Sequence, residues 1–190
     1  MIRFALTLSL LICLSATAPA KTWGPASAME PGFDRQGELD KVFEGLARVS
    51  NVHRSRAIVD RLWKIFMMTP DEETAEDLNR YLLARDNQDF DSARRIIEGV
   101  VDRHPNYAEG WNQRAYIHFL QGRYAESLAD CERVLELEPR HLGCMTGMAR
   151  ILIRHQRRYK AGAKLLKQAI ELHPFIYERI LLKEVPDSFL

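Results

Sequence analysis

From residue 39 onward, apolar side chains recur at alternating spacings of three and four, the period of helices that bury one face. Leu39, Val42, Phe43 and Leu46 form one stripe, Ile58, Leu62, Ile65 and Phe66 a second, and Pro70 closes that stretch. Leu78, Leu82 and Leu83 mark the next helix, whose start at Thr74-x-x-Asp77 reads as a capping box. Trp111, Ala115 and His118 follow at i, i+4 and i+7. Phe175 to Val185 keeps the helical pattern and stops at Pro186. Between the N-terminus and the first stripe, Gly24, Pro25, Pro31 and Gly32 mark residues 21–37 as a flexible linker. The pattern predicts an all-α chain.

Three of these segments repeat. Pro105, Pro139 and Pro174 each close a similar phrase, Val100-Val101-Asp102-Arg103-His104, Val134-Leu135-Glu136-Leu137-Glu138 and Ala169-Ile170-Glu171-Leu172-His173, at steps of 34 and 35 residues. A helix-turn-helix unit of 34 residues has the tetratricopeptide period. The middle unit, with Trp111-x-x-Arg114-Ala115-x-x-His118, Gly122-Arg123-Tyr124, Ser127-x-x-x-Cys131 and Pro139, resembles a tetratricopeptide repeat. It departs from that pattern in having Arg114 for leucine, Ala115 for glycine, His118 for tyrosine, Ser127 for alanine and Cys131 for an aromatic residue. Ala115 and Ser127 are still small, as sites of close helix approach require. The first unit (about 74–107) keeps Phe90 and Ala93. The third (about 142–174) keeps Ala149, Tyr159 and Gly162 and has one extra residue near Gln156-Arg157-Arg158, where a longer turn is expected. The expected fold is an α-α superhelix of about three repeats (71–174), preceded by a degenerate helical hairpin (38–70) and followed by a capping helix and tail (175–190).

The resemblance implies that the first helices of successive repeats line a concave groove. Asn112, Tyr116 and Phe119 would face it from the middle repeat, Leu78, Leu82 and Arg85 from the first, and Thr146, Arg150 and Ile153 from the third, with Arg154 alongside. Tyr116 and Phe119 could equally pack against neighbouring first helices. Between Pro139 and Ile170 the chain has Arg140, Arg150, Arg154, Arg157, Arg158, Lys160, Lys164 and Lys167 and no acidic residue. Arg150 and Arg154 thus have no local acidic partner, and guanidinium groups suit a carboxylate held by two hydrogen bonds. The candidate partner-binding residues are Leu78, Leu82, Arg85, Asn112, Tyr116, Phe119, Arg150 and Arg154, and the expected ligand is a protein or peptide segment with acidic side chains.

The first residues change where such a protein would work. Arg3, the apolar run Phe4–Leu14 and the small residues Ala18-Pro19-Ala20 read as a secretory signal over residues 1–20, cleaved before Lys21. The apolar run is shorter than the roughly 20 residues that cross a bilayer. Export across the inner membrane is expected, to the periplasm in a Gram-negative source, with no membrane segment after cleavage. Cleavage would remove Arg3 and no acidic residue, leaving 26 Lys and Arg against 26 Asp and Glu. That balance argues against nucleic acid as a partner.

No phosphate loop, His-Glu-x-x-His or Gly-x-Ser-x-Gly motif is present, so neither cofactor, metal nor catalytic residue is assigned. His104, His141 and His173 fall at repeat ends, where exposed polar residues are ordinary. The acidic run from Asp71 to Asp77 suits the first turn of a helix. Helix rise sets Cys131 and Cys144 about 9 Å apart in height, too far for a disulfide, so two buried thiols are expected. Two alternatives to a groove-binding scaffold stand beside it: self-association of the basic end with the acidic end, and an accessory domain of envelope polysaccharide metabolism.

Overall fold

The computed structural model describes residues 25–190, so the expected signal segment lies outside the described residues. Eight α-helices follow one another among them: α1 (Arg35–Arg48), α2 (Val52–Phe66), α3 (Glu72–Asp86), α4 (Phe90–Arg103), α5 (Ala108–Leu120), α6 (Tyr124–Leu137), α7 (Leu142–Arg150) and α8 (Tyr159–Leu172). As the repeat pattern predicts, α3–α4, α5–α6 and α7–α8 are packed hairpins stacked in order. Small residues let each pair close. Ala93, Ser127 and Ala115 are almost fully buried, and a Cβ on Gly162 would lie 2.6 Å from Ile153 Cγ1.

All three hairpins turn in the same way. Asn87-Gln88-Asp89, Gln121-Gly122-Arg123 and Gln156-Arg157-Arg158 each place their middle residue at positive φ, 61°, 72° and 53°. The extra residue of the third repeat therefore does not lengthen its turn. It is taken up just before, in a π-helical turn at Ile151–His155, where the Gln156 N–H reaches Ile151 O at 3.1 Å. A helix can widen by one residue and keep its carbonyls bonded. The three-residue turn has no such freedom, because it must set the small residue of the second helix against the first.

The start of α3 also differs from expectation. Its N-cap is Asp71, whose carboxylate accepts from Thr74 N–H at 2.8 Å, one turn ahead of the anticipated Thr74 cap. Asp77 is instead nearly buried between Arg80 and Arg103, both of which donate to it. Burial works to raise the Asp77 pKa, but these two hydrogen bonds outweigh it and hold the carboxyl below its usual value.

The N-terminal hairpin is the largest departure. It does not stack ahead of α3–α4 as a preceding repeat or cap would. Its core residues Leu39, Val42, Leu46, Leu62 and Phe66 share one cluster with Leu142, Met145 and Ala169 of the third repeat. Asp40 pairs with Arg140 at 2.6 Å, Arg140 lies over the Phe43 ring at 4.8 Å, and Phe66 stacks on His141 at 4.4 Å. The hairpin thus folds back onto the face that the resemblance assigns to the groove, where its wide apolar stripes meet the apolar start of α7.

The described part of the linker is held too. Ala28 bridges to Thr69, and the Asn79 amide both accepts from Ala26 N–H at 2.8 Å and donates to Ala26 O at 3.2 Å. The expected C-terminal capping helix is made of 3-10 turns, Tyr177–Glu184 and Asp187–Phe189. Leu181 and Val185 cover Ala149, Ile153 and Leu166 at the apolar end of the third repeat. The 3-10 form rises about 2.0 Å per residue against 1.5 Å in an α-helix, so this short stretch reaches across more of that end. No helix among the described residues is long and apolar enough to cross a membrane.

Candidate binding trough on the concave face

Between the folded-back α2, helices α5 and α7, and the C-terminal segment, the concave face stays open as a trough. One part, about 380 Å³, is lined by Val59, Trp63, Leu142, His173, Phe175 and Tyr177. The adjoining part, about 250 Å³, is lined by Asn112, Tyr116, Phe119, Cys131 and Arg150. Trp63, Gly143, Thr146 and Glu178 border both parts, so the two form one surface.

A buried polar cluster builds the floor. Glu109 is fully buried, and its carboxylate accepts from Asn112 Nδ2 at 2.9 Å, from Gln113 Nε2 and from His141 Nε2 at 3.1 Å. The Cys144 N–H uses His141 Nδ1 as acceptor at 3.3 Å, so the ring proton sits on Nε2 and points at Glu109. Tyr81 closes the cluster by donating to Gln113 O at 3.0 Å. A buried carboxylate is tolerated only when its lone pairs are used in this way. The consequence here is positional, since Asn112 and the start of α7 are fixed relative to each other.

Four of the eight sequence-derived residues meet in the trough: Asn112, Tyr116, Phe119 and Arg150. Tyr116 is 45% exposed. Phe119 is half-buried, packed at 5.8 Å from Tyr124 and 6.3 Å from His155, so it serves as wall and packing residue together. The other four lie elsewhere. Leu78 is in the core with Ala26, Tyr81 and Ile97, because residues 25–29 lie over that part of α3. Leu82 packs half-buried against the same cluster, and Arg85 pairs with Asp86 at 2.7 Å. Arg154 is held in a two-pronged pair by Glu184 at 2.8 and 2.5 Å, which also holds the Glu184 carboxyl below its usual pKa.

The arginines therefore do have acidic partners, contrary to expectation. Glu184 takes Arg154, and Glu178 lies 3.7 Å from Arg150. Both acids come from beyond the acid-free stretch of sequence and reach the arginines only through the return of the C-terminal segment. The Arg150 pair is the looser one, and its Nε is buried with no acceptor among the described residues. The histidines expected at exposed repeat ends also divide. His104 is paired with Asp71 at 2.9 Å, whereas His141 and His173 are buried. Burial lowers the His173 pKa.

Sequence reasoning passed over Trp63, Gly143 and Glu178. One signal was available for Trp63. Val59 and Trp63 form a second apolar row beside Ile58, Leu62 and Ile65, and a helix with two apolar rows is covered from two sides.

Comparison with known proteins agrees with the geometry. Residues 78–141 match the tetratricopeptide repeat family, a segment running from α3 to the turn after α6. A TPR repeat-containing protein of Rhizobium etli is 44% identical over 61 residues, which are 32% of this chain and 30% of that relative.

Proposed function

We propose that this tetratricopeptide-repeat protein is an exported scaffold or adaptor, periplasmic in a Gram-negative source, that holds an extended acidic segment of another protein and has no catalytic role. Such repeats are generally protein–protein interaction modules, and the family matched here is a repeat family rather than a catalytic one. Export rests on Arg3, the following apolar run and Ala18-Pro19-Ala20. The observation that carries the binding reading is Arg150. It lines an open, largely apolar trough beside exposed Tyr116, and among the described residues its carboxylate partner is Glu178, at a loose 3.7 Å. An incoming carboxylate can take the place of Glu178 on the Arg150 guanidinium, whose present pair is long.

The test is crosslinking in cells from a photoreactive residue at position 116. The wild type captures a discrete partner from the envelope fraction, Arg150→Glu loses at least about tenfold, and Glu178→Ala gains. Equal recovery by wild type and folded Arg150→Glu rejects the trough as the binding site. Sequencing the N-terminus of the envelope form tests export, and an intact Met1 in the cytoplasm rejects it.

Self-association is the second reading. It is favoured by Tyr177, Ile180, Phe189 and Leu190, all exposed on the C-terminal segment. A concentration-independent monomer in sedimentation removes it.

A further inference from the structure

Cys131 sits on α6 and Cys144 near the start of α7, on either side of the junction between the second and third repeats. Helix rise alone sets them far apart, but both face one buried cluster with Ala115, Val134 and Met148. The α6–α7 connection is a tight turn in which the His141 N–H donates to Glu138 O at 3.1 Å, and the two helices pack against each other across it. The two sulfurs lie 2.7 Å apart, each a free thiol, with Cys131 4% and Cys144 0% exposed. That distance is well inside the separation of unbonded heavy atoms, about 3.5–4.0 Å, and approaches the roughly 2.05 Å of a disulfide. The junction that holds them contains the buried Glu138 and His141, so the approach is set by the folded core.

We propose that Cys131 and Cys144 are an oxidation site, a dithiol that closes into an intramolecular disulfide and staples the second repeat to the third. The oxidant is a small external disulfide of the glutathione class. Cys131 borders the trough, whereas Cys144 is fully buried and its thiol is pushed up by burial and by the adjacent Cys131. Cys131 is therefore the attacking thiolate. It opens the external disulfide, releases one glutathione thiol and becomes a mixed disulfide. Cys144 then gives up its proton and attacks the Cys131 sulfur, releasing the second glutathione. Two S–H bonds are replaced by one S–S bond, and two protons and two electrons pass to glutathione disulfide, which leaves as two thiols. The reaction also alters the trough. The Cys144 thiol donates to Asn112 Oδ1 at 3.2 Å, and its loss leaves that oxygen as a free acceptor in the trough wall.

The site requires no particular compartment, so its test is independent of the export reading. The full chain is incubated with glutathione disulfide, alkylated in denaturant and digested with trypsin, which cuts at Arg123, Arg133, Arg140 and Arg150 and so separates the two cysteines. The expected product is one linked peptide pair, lighter by two hydrogens than the separate peptides and resolved by reductant, with Cys13 left for the alkylating agent. The oxidised protein should melt roughly 6–12 °C above the reduced protein, and Cys144→Ala should show no redox dependence. If that variant does not fold, the wild-type peptide map decides alone. Both cysteines alkylated, both carrying glutathione, or a link between two chains overturns the proposal.

Discussion

Gly162 offers the sharpest check on how the third repeat is packed. A Cβ there would meet Ile153 Cγ1 at 2.6 Å, Ile153 Cδ1 at 3.2 Å and the Ala149 carbonyl oxygen at 3.1 Å. Neither neighbour can give way readily. One is backbone, and the other is a β-branched side chain, 2% exposed, inside the π turn. Gly99 in α4 is the control, since a Cβ there meets only Arg103 Nη1, at an ordinary contact distance of 3.5 Å. Replacing glycine by alanine within a helix favours the fold by about 0.5–1 kcal/mol at either position. At Gly162 the overlap opposes this with about 1–3 kcal/mol. Gly99→Ala should therefore be more stable than wild type by up to about 1 kcal/mol, and Gly162→Ala less stable by up to about 2 kcal/mol. Urea melts followed by circular dichroism measure both, and an unchanged slope shows that the same surface unfolds. Gly162→Ala as stable as Gly99→Ala would refute the placement of Ile153, and with it the π turn.

Two further outcomes follow from buried polar groups. Asp130 takes a two-pronged bond from Arg114 at 2.9 and 2.7 Å, and Arg114 lies over the Trp111 ring at 4.6 Å. Asp130→Ala should cost about 3 kcal/mol in a urea melt by stranding the half-buried guanidinium, and adding Arg114→Leu should restore most of the loss; no rescue by the double variant would contradict the pairing. Burial lowers the pKa values of His118 and His173 from the ordinary 6.5. The unfolded chain then binds protons that the folded one does not, so this part of stability is present above pH 6.5 and is lost as pH falls from there toward the folded values. Tm should drop between about pH 7 and pH 5.5, while Asp77, whose pKa is lowered from 3.8, acts only in stronger acid. A flat Tm over that interval contradicts buried neutral histidines.

What the sequence made legible was local. Pro105, Pro139 and Pro174 mark unit ends, and Ala93, Ser127 and Gly162 recur where two helices touch, so the hairpins could be read from spacing alone. Long-range choices left no such trace. The stripe of Leu39, Val42 and Leu46 says that something covers it, but not that Leu142 and Met145 do. Residue counting reveals one extra residue in the third repeat, yet turn and helix are equally good places for it on paper. For the trough, Asn112, Tyr116, Phe119 and Arg150 follow from repeat register. Leu78 fails because the extended segment at Ala26 covers it, and Glu178 was missed because its partner is 28 residues away in the chain.

The folded-back hairpin also bears on how the chain comes apart. In an open array each repeat touches only its neighbours, so an end repeat can fray while the rest stays folded, and stability is close to a sum over units. Here Asp40 and Arg140 are paired across 100 residues of sequence. Opening α7–α8 uncovers the core of α1 and α2, and releasing α1 and α2 uncovers the start of α7. The first hairpin and the third repeat are thereby joined in one cooperative unit. The same link makes folding slower than for a purely local helical array, because closing so long a loop must precede the contacts that hold it shut.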